Sequence, residues 1–479
     1  MCGVFGIRSP ERDVARIAYF GLFALQHRGQ ESAGIAVSDR GRITALREMG
    51  LVSQVFSEEK LKGLRGELAI GHTRYSTTGS THWGNAQPIV HNGRARTVAL
   101  GHNGNLTNAA ELREELAEGG IRVHSTSDSE MIAALIAHDD TPLEEAVSRT
   151  IAKLDGAFSC VALAENRLIA FRDPRGMRPL CLGRIGDDWV AASETCALDL
   201  VGAEYDRDLR AGELFVAGPE GEQSTQALEA ADRGEAVLID GDGVTSVQAA
   251  PPDGDGALCI FEFFYLARPD SRLAGVEVHS ARVRMGARLA EEAPVDADLV
   301  LPVPDSGTPA AIGFSRATGI PFSEGLIKNR YVGRTFIQPE QGLREQGIRL
   351  KFNPLAEVAG QRVVVIDDSI VRGNTTRQIV RMLFDAGASE VHVRISSPPV
   401  IGPCFYGIDF ANDDELVAAR RSVEAVRSYI GASSLHYLSL DGLTEATRRP
   451  ESELCRACLT RDYPTRVPTE SAKLRFEPV

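Results

Sequence analysis

The 479-residue chain is 43% hydrophobic and 25% charged, the balance of a folded globular protein long enough for two or three domains. Its net charge of −14, with no block of Lys and Arg, argues against a nucleic-acid surface but leaves room for a phosphorylated small molecule, which needs only a few donors. No run approaches the roughly 20 apolar residues of a membrane span, and "MCGVFGIRSPERD" lacks the basic and long apolar regions of a signal peptide. The expected compartment is therefore the cytoplasm, where cysteines act as core residues, nucleophiles or metal ligands rather than as a disulfide framework.

In chain order, the first feature is Cys2, directly after the initiator Met. Met is commonly trimmed before a small residue, which leaves Cys2 with a free α-amine of ordinary pKa about 7.7–8.0. Such an amine can act as general base for its own thiol. Strand-like runs follow at "ELAIGHTRYS", "TVALGHNGNL", "GAFSCVALAE" and "RLIAFRDP", with helical patterns at "NAAELREELAEG" and "SDSEMIAALIAHD". This mixture predicts sheets covered by helices over residues 1 to about 216. Arg74 offers a fork for a carboxylate. Asn103 and Gly104, in a turn after a strand, offer an amide and a backbone N–H to a developing oxyanion. Asp128 is a partner for an ammonium group. Together these residues suit an α-amino acid whose side-chain amide is attacked by a thiolate.

The polar, acidic stretch from 217 to about 257 reads as a boundary region holding two imperfect strand-turn copies, "RAGELFVAGPEG" and "DRGEAVLIDGDG". Beyond it the pattern becomes apolar strand, loop, helix, strand, at "DADLVLPVPDSGTPAAIGFSRATGIPF" and again at "QRVVVIDDSIVRGNTTRQIVRMLFDAGASEVHVRISSPP". That pattern predicts parallel βαβ units with ligands beyond the carboxyl ends of the strands. In the second unit a buried strand delivers Asp367 and Asp368 to a loop ending in Gly373, Asn374, Thr375 and Thr376, where a helix begins. Helix N–H groups and hydroxyls make a monophosphate cradle, and the acidic pair can hold ribose hydroxyls and Mg²⁺. The G-x-G-x-x-G and P-loop fingerprints are both absent. The basic segment "LIKNRYVGRTFIQPEQGLREQGIRLKFNP" reads as a mobile lid whose Lys328, Arg334 and Lys351 reach phosphate oxygens.

Cys160, Cys181 and Cys196 sit in apolar, strand-like settings and are expected in the core. Cys259, Cys404, Cys455 and Cys458 remain. Four thiolates suit tetrahedral zinc or a [4Fe–4S] cluster equally well, and an unmetallated set is a third possibility.

The segments "MCGVFGI", "QHRGQESAGIA", "GHTRYST", "GHNGNL", "STSDSE" and "RDPRGMRPL" resemble the glutaminase domain of the amidophosphoribosyltransferases, and "VVVIDDSIVRGNTT" resembles the phosphoribosylpyrophosphate loop of type I phosphoribosyltransferases. The resemblance implies an N-terminal-nucleophile glutaminase of four α-β-β-α layers, here residues 2–235. It implies a parallel-sheet α/β phosphoribosyltransferase domain at 258–445 and a tail at 446–479. By the same resemblance Cys2 attacks glutamine, Asn103 and Gly104 form the oxyanion hole, and Arg74 and Asp128 hold the ends of the zwitterion. Asp367, Asp368, Ser369, Arg372, Gly373, Thr375 and Thr376 would bind phosphoribosylpyrophosphate, with Lys328, Arg334 and Lys351 from the lid, and Ser306 would join Asp367 and Asp368 around Mg²⁺. Asn374 stands where many members have Thr, so the pairing of hydroxyls with phosphate oxygens stays open. One branch of the family carries a [4Fe–4S] cluster on cysteines placed as Cys259, Cys404, Cys455 and Cys458 are here. The implied reaction gives phosphoribosylamine, the start of purine synthesis, in a homo-oligomer inhibited by purine nucleotides. A non-catalytic, phosphoribosyl-sensing regulator is the competing reading.

Overall fold

The computed structural model describes residues 1–76, 78–217, 256–329, 351–410 and 412–468, together with strands at 236–237 and 244–248. The first domain is built on two seven-stranded antiparallel sheets. One runs in the order Glu204–Asp208, Cys181–Ile185, Asp188–Ala192, Gly3–Arg8, Leu68–Arg74, Ser32–Asp39, Arg42–Met49. The other runs Ala236–Val237, Val244–Gln248, Glu213–Ala217, Arg167–Arg172, Gly156–Ala164, Thr97–Leu106, Ile89–Asn92. The second sheet thus takes a strand past residue 235, because Val244–Gln248 pairs along the whole of Glu213–Ala217.

Alternation along the strands sorts the apolar side chains between layers. Val4, Ile70, Ala99, Val161, Leu168 and Phe215 fill the space between the sheets. Phe5 and Ile7 turn the other way and meet the helix Val14–Ala24. Leu100, Phe158 and Cys160 meet the helices Asp128–His138 and Leu143–Lys153 on the opposite outer face. The result is helix, sheet, sheet, helix. Cys160, Cys181 and Cys196 are buried in these layers, as expected.

The second domain carries a four-stranded parallel sheet, Leu299–Pro302, Arg362–Asp367, Glu390–Ile395 and Ser434–Tyr437. It is apolar on both faces. Val300, Val364 and Ile366 pack against Val278, Met285 and Phe314, while Leu301, Val363 and Val365 pack against Ile379 and Leu383. This explains why its strands read as unbroken apolar runs. The tail returns to the domain's start: Leu454–Cys455 pairs in parallel with Leu258–Cys259.

Candidate active sites

Cys2 opens the central strand Gly3–Arg8 and is 6% exposed. Its backbone N–H donates to Asn103 Oδ1 at 3.2 Å, and its thiol lies 3.5 Å from the Tyr75 carbonyl oxygen. Asn103 has no solvent exposure, and its Nδ2 has no hydrogen-bond partner among the described residues. A buried amide donor left open beside a thiol is costly in a finished core and useful where an oxyanion forms. Asn103 and Gly104 lie within the strand Thr97–Leu106, opposite Ser159 and Phe158, and not in a turn after it; Gly104 adopts φ 155°, and a Cβ there would come within 1.9 Å of the Ala157 carbonyl oxygen, so only glycine fits. Met1 still precedes Cys2, and burial pushes its α-amine down to about 5.

Arg74 closes the strand Leu68–Arg74 and is 2% exposed. It donates to the carbonyl oxygens of Thr78 at 3.2 Å and Ser80 at 3.1 Å and pairs with Glu31 at 3.4 Å. Glu31 also accepts from the Ser76 hydroxyl at 3.0 Å. Asp128 begins its helix, accepts the Leu106 N–H at 3.0 Å and lies 3.7 Å from His102 Nδ1. Burial alone would raise the Asp128 carboxyl, but His102 brings it below its ordinary value, and Arg74 adds to that. His102 moves the opposite way: burial disfavours its imidazolium, yet Asp128 and the Cys2 sulfur raise its pKa. The structure therefore brings Cys2, Asn103, Gly104 and Asp128 together, and it adds His102, which the motif "GHNGNL" contains but which its sequence reading passed over.

The second domain closes over this site. Tyr75 Oη donates to Asp409 at 3.4 Å and Asn105 Nδ2 to the Phe405 carbonyl at 3.0 Å. Beneath the nucleophile lies a group of fully buried charges. Arg28 Nε donates to the Cys2 carbonyl oxygen at 2.9 Å, and its two terminal nitrogens reach Glu194 and both oxygens of Glu262. Arg178 lies on the other side of Glu262 and donates to the Tyr406 carbonyl at 2.8 Å.

In the second domain the strand Arg362–Asp367 ends on Asp367, 7% exposed, followed by Asp368, 4% exposed. Burial, then repulsion from Asp368, lifts the Asp367 carboxyl well above its usual range. Burial also raises Asp368, against the pull of the Ser306 and Ser369 hydroxyls and the Arg282 charge. Two adjacent buried acids repel each other, and a cation between them would relieve that cost. Gly373, at φ 78°, turns the chain into the helix Asn374–Asp385. Thr376 is buried and Thr375 exposed in its first turn. Asn374 accepts the Tyr429 hydroxyl at 2.7 Å, so its side chain faces Tyr429. Arg372 is half-exposed and pairs with Glu415. The lid residues divide: Lys328 pairs with Asp305, the Lys351 charge acts on Asp367, and Arg334 lies outside the described residues. An open pocket of about 500 Å³ adjoins the loop, with Arg372, Arg420, Arg421 and Tyr429 facing Asp413 and Asp414.

The four remaining cysteines converge from three segments. Cys259 and Cys455 are paired residues of the two short parallel strands. Cys404 accepts the Tyr406 N–H on its sulfur at 3.4 Å. Cys458 follows in the helical turn Ala457–Thr460. Burial raises the Cys458 thiol, and Cys259, Cys404 and Cys455 raise it further; Cys259 and Cys458 share one buried core against which Cys404 packs, and Cys404 also packs against the small cluster that holds Cys455. Burial pushes Cys259 up to about 11, with Arg178 opposing. As placed, no group of three or more His, Cys, Asp or Glu among the described residues is close enough to grip a single metal ion. No described helix is long and apolar enough to cross a membrane.

A thiol beside an open amide donor, in a layered domain joined to a parallel-sheet domain with an acidic phosphate loop, defines a two-site amide-nitrogen transferase. Residues 72–200 match the glutamine amidotransferase domain model and residues 277–396 the phosphoribosyl transferase domain model. The amidophosphoribosyltransferase of Mycobacterium tuberculosis is 52% identical over 485 residues, covering 98% of this chain and 88% of that protein. That of Bacillus subtilis is 44% identical, covering 97% and 94%. The solved B. subtilis glutamine phosphoribosylpyrophosphate amidotransferase, complexed with ADP and GMP, superposes with a TM-score of 0.87 at 43% identity over 98% of this chain and 99% of that one. The chain belongs to the amidophosphoribosyltransferase family.

Proposed function

We propose that the residues above divide the family's reaction between two sites. The chain transfers the amide nitrogen of glutamine to phosphoribosylpyrophosphate, the first step of de novo purine synthesis. At the first site, residues 2 to at least 248, the Cys2 thiolate attacks the glutamine amide, and the Cys2 amine, exposed by loss of Met1, takes and returns the proton. Asn103 Nδ2 and the Gly104 N–H receive the oxyanion. Asp128, kept anionic, takes the substrate ammonium. Arg74 takes its carboxylate, exchanging carbonyl partners for it. The buried Asn103 Nδ2, without a partner among the described residues, carries this reading. Asn103→Ala is expected to lower glutaminase kcat about 100- to 1000-fold, the usual cost of one oxyanion donor. Its KM for glutamine should stay near wild type in steady-state assays. A rate within a few-fold of wild type would remove Asn103 from the oxyanion hole.

At the second site, within 258–445, Asp367 and Asp368 bind the ribose hydroxyls and, with Ser306, a Mg²⁺ ion that would neutralise the pyrophosphate leaving group. Ser369, Gly373, Thr375 and Thr376 cradle the 5-phosphate. Lys328, Arg334 and Lys351 of the basic segment reach the pyrophosphate. Arg372, held by Glu415, contributes only if it changes partner. The B. subtilis protein was solved with ADP and GMP, which supports purine nucleotides as inhibitors here.

Cys259, Cys404, Cys455 and Cys458 fit a [4Fe–4S] cluster. Burial, with neighbouring thiols adding to it, holds Cys259, Cys455 and Cys458 protonated, and a metal that displaced those protons would relieve that cost. When bound, the cluster would supply cross-linking of the tail, 446–479, to the start of the second domain. Anaerobically purified protein is expected to contain about four irons and four labile sulfides per chain, as that cluster requires. Cys455→Ser should lose both together with thermal stability. Stoichiometric zinc in colourless protein would overturn this assignment.

A further inference from the structure

Residue 2 is an awkward place for a nucleophile, because a terminal residue has no chain on one side to hold it. Two contacts anchor its backbone: Asn103 Oδ1 at its nitrogen, and Arg28 Nε at its carbonyl oxygen, 2.9 Å away. Arg28 has no solvent exposure on its side chain, so its direction is set by its partners alone. Those are Glu194 and Glu262, both also fully buried. Glu262 takes the guanidinium with both oxygens, at 2.8 and 3.1 Å. It belongs to the second domain, on the turn Glu262–Leu266. Glu194 belongs to the first domain but is itself held by the second, accepting from the Ser271 hydroxyl at 2.7 Å and the Arg268 N–H at 2.9 Å.

A buried carboxylate costs much desolvation and adds little net stability over an apolar residue of its size. The planar guanidinium, in contrast, gains a fixed direction from a two-oxygen partner. We propose that Glu262 is a positioning residue for the glutaminase nucleophile: through Arg28 the phosphoribosyltransferase domain holds the Cys2 backbone in its attacking geometry. Ammonia release then depends on the second domain being docked, even before any substrate reaches it. The inference rests on Cys2 as nucleophile.

The test is Glu262→Gln in the full chain, which keeps the shape and removes the charge. Glutamine hydrolysis and Cys2 alkylation by a glutamine-analogue diazoketone should both slow, by up to about 100-fold, as small misplacements of reacting groups do. KM for glutamine should hold, and synthesis from added ammonia, which bypasses Cys2, should stay within about two-fold of wild type. Should E262Q not fold, the charge-balanced pair R28Q/E262Q is the second variant, expected to be no slower than R28Q alone because one contact serves both. Wild-type hydrolysis in E262Q, equal losses with glutamine and ammonia, or additive losses in the pair would overturn the proposal. Cys2→Ala run beside it separates the failures: if that variant still uses glutamine, the nucleophile assignment is wrong rather than the brace.

Discussion

Cys2→Ala is expected to abolish phosphoribosylamine formation from glutamine while leaving formation from ammonia intact. The fall should be at least about 1000-fold, since removing a nucleophile leaves only what binding and the oxyanion donors contribute. Alanine fills the same buried space without the sulfur, and the contacts of the residue 2 backbone to Asn103 and Arg28 need no side chain. Structural damage is thus not the expected cause. Parallel assays of pyrophosphate release with each nitrogen donor decide the matter. Loss of both activities would mean that Cys2 supports the fold; retention of both would mean that another group attacks glutamine.

Asp367→Asn is expected to separate function from stability in opposite directions. Activity with either nitrogen donor should drop about 100- to 1000-fold, because the amide cannot hold the metal or screen the charge that develops on pyrophosphate. Stability without metal should rise at neutral pH. The folded carboxyl keeps its proton well above the ordinary value of 3.8. The folded state therefore binds more protons than the unfolded one between those limits, and stability falls as pH rises through that window. Asparagine removes the cost. D367N should melt higher than wild type at pH 7.5, with the gain fading below about pH 4. Adding Mg²⁺ and phosphoribosylpyrophosphate should raise the melting temperature of wild type far more than that of D367N. A lower melting temperature at both pH values, or near-normal turnover, would sink the assignment.

Much of both sites was legible because their chemistry is local in sequence. "VVVIDDSIVRGNTT" encodes a strand buried on both faces, an acidic turn and a helix start, and the structure builds those elements in that order. "GHNGNL" marked Asn103 and Gly104 as oxyanion donors in a turn after a strand; the structure carries the strand on through both, and Asn103 is buried with its Nδ2 open among the described residues. The details read less well. Asn374, which left the hydroxyl pairing open, is held by Tyr429 from a helix 55 residues away. Arg372, given as a phosphoribosyl ligand by resemblance, pairs in the structure with Glu415, 43 residues further on, a partner that no local pattern announces. His102 went unread because a histidine inside a strand motif is not distinguished from a core residue until its distance to Asp128 is known.

The sequence by itself determined the kind of reaction: a thiol at the chain start with oxyanion donors, and a phosphoribosyl loop with an acidic pair. Each is carried by a short segment whose local geometry follows from its residue types. It also supplied the four thiols. Only the tertiary structure decided that those thiols are neighbours, and that the nucleophile rests on Arg28, Glu194 and Glu262. Those partners are 166 and 234 residues from Arg28 along the chain. No periodicity links such positions. Charged residues are read as surface by default, and burial in pairs is an outcome of packing two domains together. It is a property of the contact between them and of no segment alone.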